Sequence, residues 1–222
     1  MKQRFTFSTG EHIEADLDGL YVLLEEKKQY LQNYYEVFVA LDDDDYIARG
    51  NGFCDRKYSD DFIEGQIAKY TQQVSEIKRW IDDMEMGRLL QVLDSGQHSC
   101  VVKSHDETRT FSRKGVADLA ELYRTEPAFL KDALVADKVV GKGAAAILIL
   151  GGVKRIHARL ISKAALELLK GHPVQVDFDE KVHHIINRTG TDWCPIEKRM
   201  KGVPNAEECW VRIEDFLAHP GE

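Results

Sequence analysis

The sequence predicts an α/β protein, a three-layer α/β/α sandwich with a mixed sheet, preceded by a mainly helical N-terminal region. Three observations support this fold class. The second half alternates short apolar strands with helical segments. The apolar run 136–150, rich in Ala and Gly, is typical of a buried helix, because a helix that is apolar on all sides must be covered. Residues 16–86 carry two long stripes of apolar side chains at helical spacing.

The N-terminal region begins with Phe5 and Phe7 alternating with polar residues before a turn at 8–11, which predicts a short strand or hairpin. Two amphipathic helices then predict an αα-hairpin or a short coiled coil. Their apolar stripes are explained by an internal core or, alternatively, by a dimer seam between two copies of the chain. The acidic run 42–45 is interpreted as a solvated loop because it lacks the spaced ligands of a calcium loop. Gly87 is predicted to be a hinge.

Charged residues are distributed unevenly along the chain. The net charge is −8. Residues 1–87 carry 10 Lys and Arg against 19 Asp and Glu, a balance of −9, and residues 88–222 carry 20 against 19, a balance of +1. We therefore predict two domains, 1–87 and 88–222. The acidic first domain argues against nucleic-acid binding, because phosphates would be repelled.

The composition of the sequence excludes several classes of protein. No apolar run approaches the roughly 20 residues of a membrane span, and residues 1–6 contain no secretory apolar segment. The four cysteines are far apart and lack CxxC spacing, which predicts reduced thiols, no structural metal and a cytoplasmic location. The sequence contains no cofactor motif, since the Gly-rich stretch 141–143 does not fit a P-loop.

The second domain is predicted as helix, β-hairpin, helix, strand, helix, strand, helix. Residues 136–150 form its central helix, with Asp137 as N-cap and with Lys138 and Lys142 bracketing the first turn. Ser162 is predicted to cap a second helix, and Pro195 to begin a third. The remaining predicted segments are a helix at 89–93, strands at 100–103, 108–112, 155–161 and 174–178, a helical segment at 115–123, and a final helix containing residues 210–216.

This order of elements resembles a prokaryotic family catalogued as domain of unknown function 1893. The similarity rests on the stretches 136–142, 161–162, 187–188 and 194–197 and covers roughly residues 88–217. It implies a cytidine-deaminase-like fold, and it places the predicted helix starts at Asp137 and Ser162 side by side. It implies no established activity, and residues 1–87 are outside it.

Zinc deaminases carry H-x-E and P-C-x-x-C at these two helix starts. Here the corresponding stretches, 136–139 and 161–164, offer no Cys or His ligand set. The H-x-E at 12–14 lies in the other domain without a cysteine pair. We therefore expect no zinc-dependent deamination.

Two converging helix starts favour a small anionic ligand, because free N–H groups and the helix dipole attract negative charge. The candidate binding residues there are Asp137, Lys138, Lys142 and Ser162. The alternative is that Asp137 and Ser162 are ordinary caps and that the lysines are simply solvated.

The loop 187–192 supplies further candidates. Asn187 and Arg188 are able to hydrogen bond a ligand, or else to order a structural loop. Cys194 precedes a helix start, where a thiol pKa can be lowered, so Cys194 is a candidate nucleophile with His183 or His184 as base. The alternative is a packed thiol. Glu197 is interpreted as part of a helix cap.

These patterns lead to three functional hypotheses. The first is binding of a small anionic, nucleotide-like ligand without zinc. The second is an enzyme that uses Cys194 as nucleophile. The third is an assembly or scaffold protein that works through the N-terminal helices.

Overall fold

A computed structural model of the chain describes residues 1–41, 60–113, 115–187 and 189–219. The predicted acidic loop at 42–45 and the candidate Arg188 lie outside these described residues. The chain folds into two compact units, Met1–Glu85 and Met86–Glu222. None of the described helices is both long enough and apolar enough to cross a membrane.

Unit 1 opens with the predicted β-hairpin. Strands β1 (Gln3–Thr6) and β2 (His12–Ala15) pair antiparallel. Helix α1 (Leu17–Leu41) follows, and helix α2 spans Asp60–Ser95. The hairpin prediction is confirmed, and both predicted helices are present.

The core of unit 1 joins the hairpin to both helices. Leu20 of α1 and Ile77 of α2 are fully buried. The ring of Trp80 lies 5.0 Å from the ring of Phe5 and 4.8 Å from that of Phe7, between centroids. Parts of the two predicted stripes therefore bury one another within a single cluster, whereas Tyr21 and Tyr35 of the first stripe are exposed. The dimer-seam alternative stays a prediction.

Helix α2 runs without interruption past Gly87, so the predicted hinge and the predicted separate helix at 89–93 are wrong. Gly87 is exposed, and an added Cβ would meet no atom within 4 Å. Met86, Leu89 and Leu93 are buried around it. Tertiary packing of these residues outweighs the weak helix propensity of glycine.

Unit 2 contains a mixed five-stranded sheet in the order β4-β3-β5-β6-β7. The first two strand pairings are antiparallel and the last two are parallel. The strands are β3 Cys100–Ser104, β4 Glu107–Phe111, β5 Leu134–Val140, β6 Arg155–Ser162 and β7 Gln175–Val182. The predicted α/β class with a mixed sheet is confirmed.

Six helices complete unit 2 among the described residues. They are α3 Ala117–Thr125, α4 Pro127–Leu130, α5 Lys142–Leu150, α6 Lys163–Leu169, α7 Pro195–Arg199 and α8 Ala206–Ala218. Helix α5 is at the centre and packs against α3, α6, α7 and α8. Its small residues permit this packing, since a Cβ on Gly143 would stand 3.2 Å from Cγ1 of Ile196.

The predicted single helix over 136–150 is wrong. The first part of this run is strand β5, and Gly141 separates it from helix α5. Asp137 is consequently not an N-cap; the cap position is Gly141, whose extended backbone turns the strand into the helix. A buried parallel strand is apolar on both faces, so its sequence cannot be told from that of a buried helix by periodicity.

The two faces of the sheet carry different apolar clusters. Val102 and Cys100 face the cluster that contains α5, whereas Val101 packs with Leu89 and Leu93 of α2. Charged side chains of β6 and β7 pair across the two strands, and we call this set of contacts the ion-pair ladder. The ladder joins Arg155 to Asp177 at 2.8 Å and Arg159 to Asp179 at 2.6 Å, and Nε2 of His157 is hydrogen bonded to Asp179 at 2.9 Å.

Replacing Gly87 with alanine tests the continuity of α2. We expect Gly87→Ala to raise the free energy of unfolding by about 0.4–1 kcal/mol, because it removes unfolded-state entropy from an exposed helical position. Gly65→Ala in the same helix, also exposed and with no atom within 4 Å of an added Cβ, is the matched control. Urea denaturation measures both. A Gly87→Ala variant that is less stable, beside a stabilised Gly65→Ala, would contradict a straight path through residue 87.

Candidate functional site

A cavity of about 890 Å³ lies in unit 2. We call it the Asp137 cavity. Its wall is formed by the stretch 96–100, the loop and start of α3, the end of β5 with the start of α5, the stretch 185–187, the start of α7, and the end of α8. Its lining is largely apolar, with a few polar side chains, which is the usual composition of a small-molecule site.

Asp137 contributes a buried carboxyl group to this cavity. It lies on β5 directly opposite Cys100 of β3, and 7% of its surface is exposed. Its Oδ1 accepts a hydrogen bond from the backbone N–H of Val139 at 2.8 Å, and the Cys100 thiol also hydrogen bonds to the carboxylate. Burial outweighs these two bonds and raises the pKa of Asp137 from 3.8 to about 7. The group therefore exchanges its proton near neutral pH.

Cys100, the hydrogen-bond partner of Asp137, stays protonated at neutral pH. Its burial, with the adjacent charge of Asp137 as a second cause, raises the pKa of its thiol well above 9.0. The thiolate is the nucleophilic form of cysteine, so Cys100 serves as a hydrogen-bond donor to Asp137.

Glu197 is the second buried carboxyl group of the cavity. It is 3% exposed, and its Oε2 accepts a hydrogen bond from the backbone N–H of Lys142 at 2.8 Å. Glu197 thus caps a helix, as the sequence suggested, but the helix is α5 and not its own α7. A Cβ on Gly141 would stand 2.6 Å from this Oε2, so only glycine permits the approach.

Two residues that line this cavity each carry a buried side-chain atom without a described partner. The atoms are Oε1 of Glu197 and Nδ1 of His98. Among the described residues a third such atom, Oε1 of Gln73, belongs to unit 1. Buried polar atoms are normally hydrogen bonded, so two exceptions in residues that line one cavity require an explanation.

Arg113 and Asp118 form a charged pair on the wall. The backbone N–H of Arg113 donates to Oδ2 of Asp118 at 2.7 Å, and its guanidinium contacts Oδ1 of the same carboxylate and Glu121. These two carboxylates raise the pKa of Arg113 and hold its charge. Sequence reasoning missed Asp118 and His98, because neither belongs to a motif.

Three predicted binding residues line the Asp137 cavity with Asp137 itself: Lys138, Asn187 and Cys194. The ammonium group of Lys138 forms no ion pair with a described residue. Asn187 also orders its own loop, since its Oδ1 accepts hydrogen bonds from the hydroxyl of Thr189 and the backbone N–H of Thr191. The two interpretations of this loop, as a ligand contact and as a structural loop, therefore both stay predictions.

Lys142 and Ser162 are not in the Asp137 cavity. Ser162 is fully buried, and its hydroxyl oxygen accepts the N–H of Ala165 at 3.1 Å, which confirms it as the cap of α6. The ammonium of Lys142 donates to the carbonyl of Val203 at 2.5 Å. It lines a second pocket of about 420 Å³, which we call the Lys142 pocket and which also contains Lys163.

The predicted catalytic pair is divided between these two sites. Cys194 lines the Asp137 cavity, whereas His183 and His184 line the Lys142 pocket. The described residues contain no group of three or more His, Cys, Asp and Glu side chains that could hold a metal ion.

Comparison with known proteins identifies a family and a solved structure from that family. The profile of a domain of unknown function, TM1506 (DUF1893), matches residues 88–217. The crystal structure of a DUF1893 family protein (TM1506) from Thermotoga maritima, at 2.70 Å resolution, aligns with a TM-score of 0.53 and 28% sequence identity. The alignment covers 57% of this chain and 85% of that one. No curated protein matches the chain significantly.

The raised pKa of Asp137 predicts a pH dependence of stability. The folded state binds a proton between pH 3.8 and about 7 that the unfolded state has lost, so this group makes stability fall as pH rises through that window. The effect is of order a few kcal/mol, because one pKa unit corresponds to about 1.4 kcal/mol.

The Asp137→Asn variant tests this assignment. We expect its urea midpoint to fall less between pH 5 and pH 8 than that of the natural protein. Asp106→Asn, in the exposed turn between β3 and β4, controls for the loss of a carboxylate. Parallel pH profiles for the natural protein and Asp137→Asn would refute the assignment.

Proposed function

The chain belongs to the DUF1893 family, and on that premise we propose that its second unit binds a small, nucleotide-like ligand in the Asp137 cavity without zinc-dependent deamination. The observation that carries the proposal is that Glu197 and His98, two residues that line one cavity, each have a buried polar atom without a described partner. A ligand that supplies hydrogen-bond partners would remove the cost of leaving them unpaired.

The chemistry of the wall favours a heterocycle with N–H donors. Carboxylates accept hydrogen bonds, so Glu197 and ionised Asp137 select donors, whereas protonated Asp137 can also donate one. Val116, Leu119 and Ile196 supply apolar surface for a flat ring. A nucleobase combines these properties, with ring faces that bury well and edges that present N–H groups.

Lys138 favours an anionic group on the same ligand. Lys138 is among the residues that line the cavity, and no ion pair joins its ammonium group to a carboxylate of the described residues. An ion pair with a ligand phosphate or carboxylate would satisfy that charge. Lys138, which lies near the end of β5, is therefore our reason for proposing that the ligand carries an anionic group.

We also propose that unit 2 is a three-layer, cytidine-deaminase-like sandwich in a cytoplasmic protein of a prokaryote. Support for the layers comes from the apolar clusters on both faces of the sheet over β3 and β5. The stretches at the two helix starts, 141–144 and 161–164, lack Cys and His, which supports binding without zinc chemistry.

The alternative enzymatic function rests on the position of Cys194 in the cavity wall. If Cys194 is an activated nucleophile, iodoacetamide will alkylate it near neutral pH faster than a free thiol such as glutathione, because only the thiolate reacts. Mass spectrometry locates the adduct, and Cys194→Ser removes it. Alkylation no faster than that of glutathione would exclude this function.

Ligand binding is tested by calorimetric titration with the four ribonucleoside 5′-monophosphates and their nucleosides. We expect at least one base to bind as both nucleoside and nucleotide, and the nucleotide more tightly. Lys138→Met should weaken nucleotide binding by about tenfold and leave nucleoside binding unchanged, since one ion pair in a partly buried site is worth roughly 1–2 kcal/mol. Lys131→Met, at an exposed position away from the cavity, is the control.

Val139→Trp provides a test that does not alter charge. Val139 lines the cavity and is 42% exposed, so a larger side chain obstructs the cavity without disturbing the core. We expect a loss of nucleoside affinity with an unchanged melting temperature. Val211→Trp, at an exposed position on α8, is the matched control. Absence of binding to every nucleoside and nucleotide, with natural circular dichroism, would overturn the proposed function.

A further inference from the structure

The Lys142 pocket is distinct from the Asp137 cavity and gathers basic side chains from four segments of unit 2. Lys142 begins α5, Lys163 begins α6, His183 and His184 follow β7, and Lys201 follows α7. The volume of about 420 Å³ accommodates a phosphate or diphosphate group. These residues are far apart in sequence, so only the fold brings their charges together.

The ammonium groups of this pocket are incompletely neutralised. Lys142 is half-buried and donates to a neutral acceptor, the carbonyl oxygen of Val203. Lys201 lies 5.9 Å from the ring centroid of Trp193, a neutral partner as well. Only Lys163 approaches a carboxylate, that of Glu167, at 3.7 Å on the exposed side. Two of the three lysines therefore lack an anionic partner among the described residues.

Glu197 also lines this pocket, and one of its carboxylate oxygens is engaged by the start of α5. Oε2 of Glu197 accepts the backbone N–H of Lys142, so this N–H is not available to a ligand. Recognition in the pocket consequently rests on side chains and not on the start of the helix. Glu197 also lines the Asp137 cavity, so its carboxyl group stands between the two sites.

Two stacked rings, those of His184 and Trp193, form part of the pocket lining. The ring of His184 stacks on Trp193 with centroids 4.0 Å apart and planes 15° apart. Nδ1 of His184 lies 3.3 Å from Nδ1 of His183, so the two rings constrain each other. Imidazole rings held in this way add hydrogen-bonding nitrogen atoms beside the lysines.

We propose that the Lys142 pocket is a binding site for a phosphate-type oxyanion, either free or as the phosphate group of an ester. Lysine binds phosphate as a point charge, and three lysines around one concave site provide such charges from different directions. An oxyanion bridging Lys142 and Lys201 would give both ammonium groups the anionic partner that they lack. This site is independent of the proposed function of the Asp137 cavity.

The test is calorimetric titration with sodium pyrophosphate at low ionic strength. We expect one site per chain, with an affinity that falls as salt is added, because exposed charge interactions are screened. Lys201→Gln should weaken binding by about fivefold or more, and Lys142→Gln by at least as much. Lys170→Gln, at an exposed position outside the pocket, should leave the affinity unchanged.

The controls separate this site from the other cavity and from nonspecific attraction. Lys138→Met should not change pyrophosphate binding, since Lys138 lines the Asp137 cavity. Lys201→Gln leaves the Lys142–Val203 hydrogen bond in place, so it remains informative if Lys142→Gln unfolds the protein. No measurable binding to the natural protein, or an equal loss in Lys170→Gln and Lys201→Gln, would overturn the proposal. Nucleosides that fail to bind, beside pyrophosphate that binds, would leave this site standing and remove the function proposed for the cavity.

Discussion

The contact between Glu197 and the start of α5 organises unit 2. One carboxylate oxygen accepts the N–H of Lys142, and it can approach because Gly141 has no side chain. This bond connects the passage from β5 to α5 with helix α7, which is distant in sequence. Residues of β5 thereby line one cavity, while the side chain of Lys142 lines the other. Both candidate sites share Glu197 as a wall, so its position defines the shape of each.

The chemistry of the two sites differs because the fold separates their charges. The Asp137 cavity is largely apolar with three buried carboxyl groups, those of Asp118, Asp137 and Glu197, and burial raises the pKa of Asp137 to about 7. The Lys142 pocket is smaller and basic. In our two proposals the first site binds a heterocycle that carries an anionic group, and the second binds a separate oxyanion. Both proposed sites lie within one unit, Met86–Glu222.

Local sequence signals predict the elements that depend on local physics. The position of Ser162 before an apolar helical segment predicts a cap, and the alternation of Phe5 and Phe7 predicts the first hairpin; the structure contains both. The prediction fails where long-range packing decides. A single helix over 136–150 is wrong because a strand buried on both faces has no period, and Gly141 is too weak a signal of the break. Glu197 and His98 could not be assigned to a ligand cavity, since their importance depends on unpaired atoms that only the folded chain reveals.

The ion-pair ladder on β6 and β7 lies at an edge of the described sheet. Strand β7 is eight residues long and lies at the edge of the described sheet, where an exposed backbone would accept a further strand. Asp177 and Asp179 are fixed there by Arg155 and Arg159, so an approaching apolar segment would have to desolvate paired charges. We therefore expect the paired charges to disfavour the addition of an apolar strand at this edge.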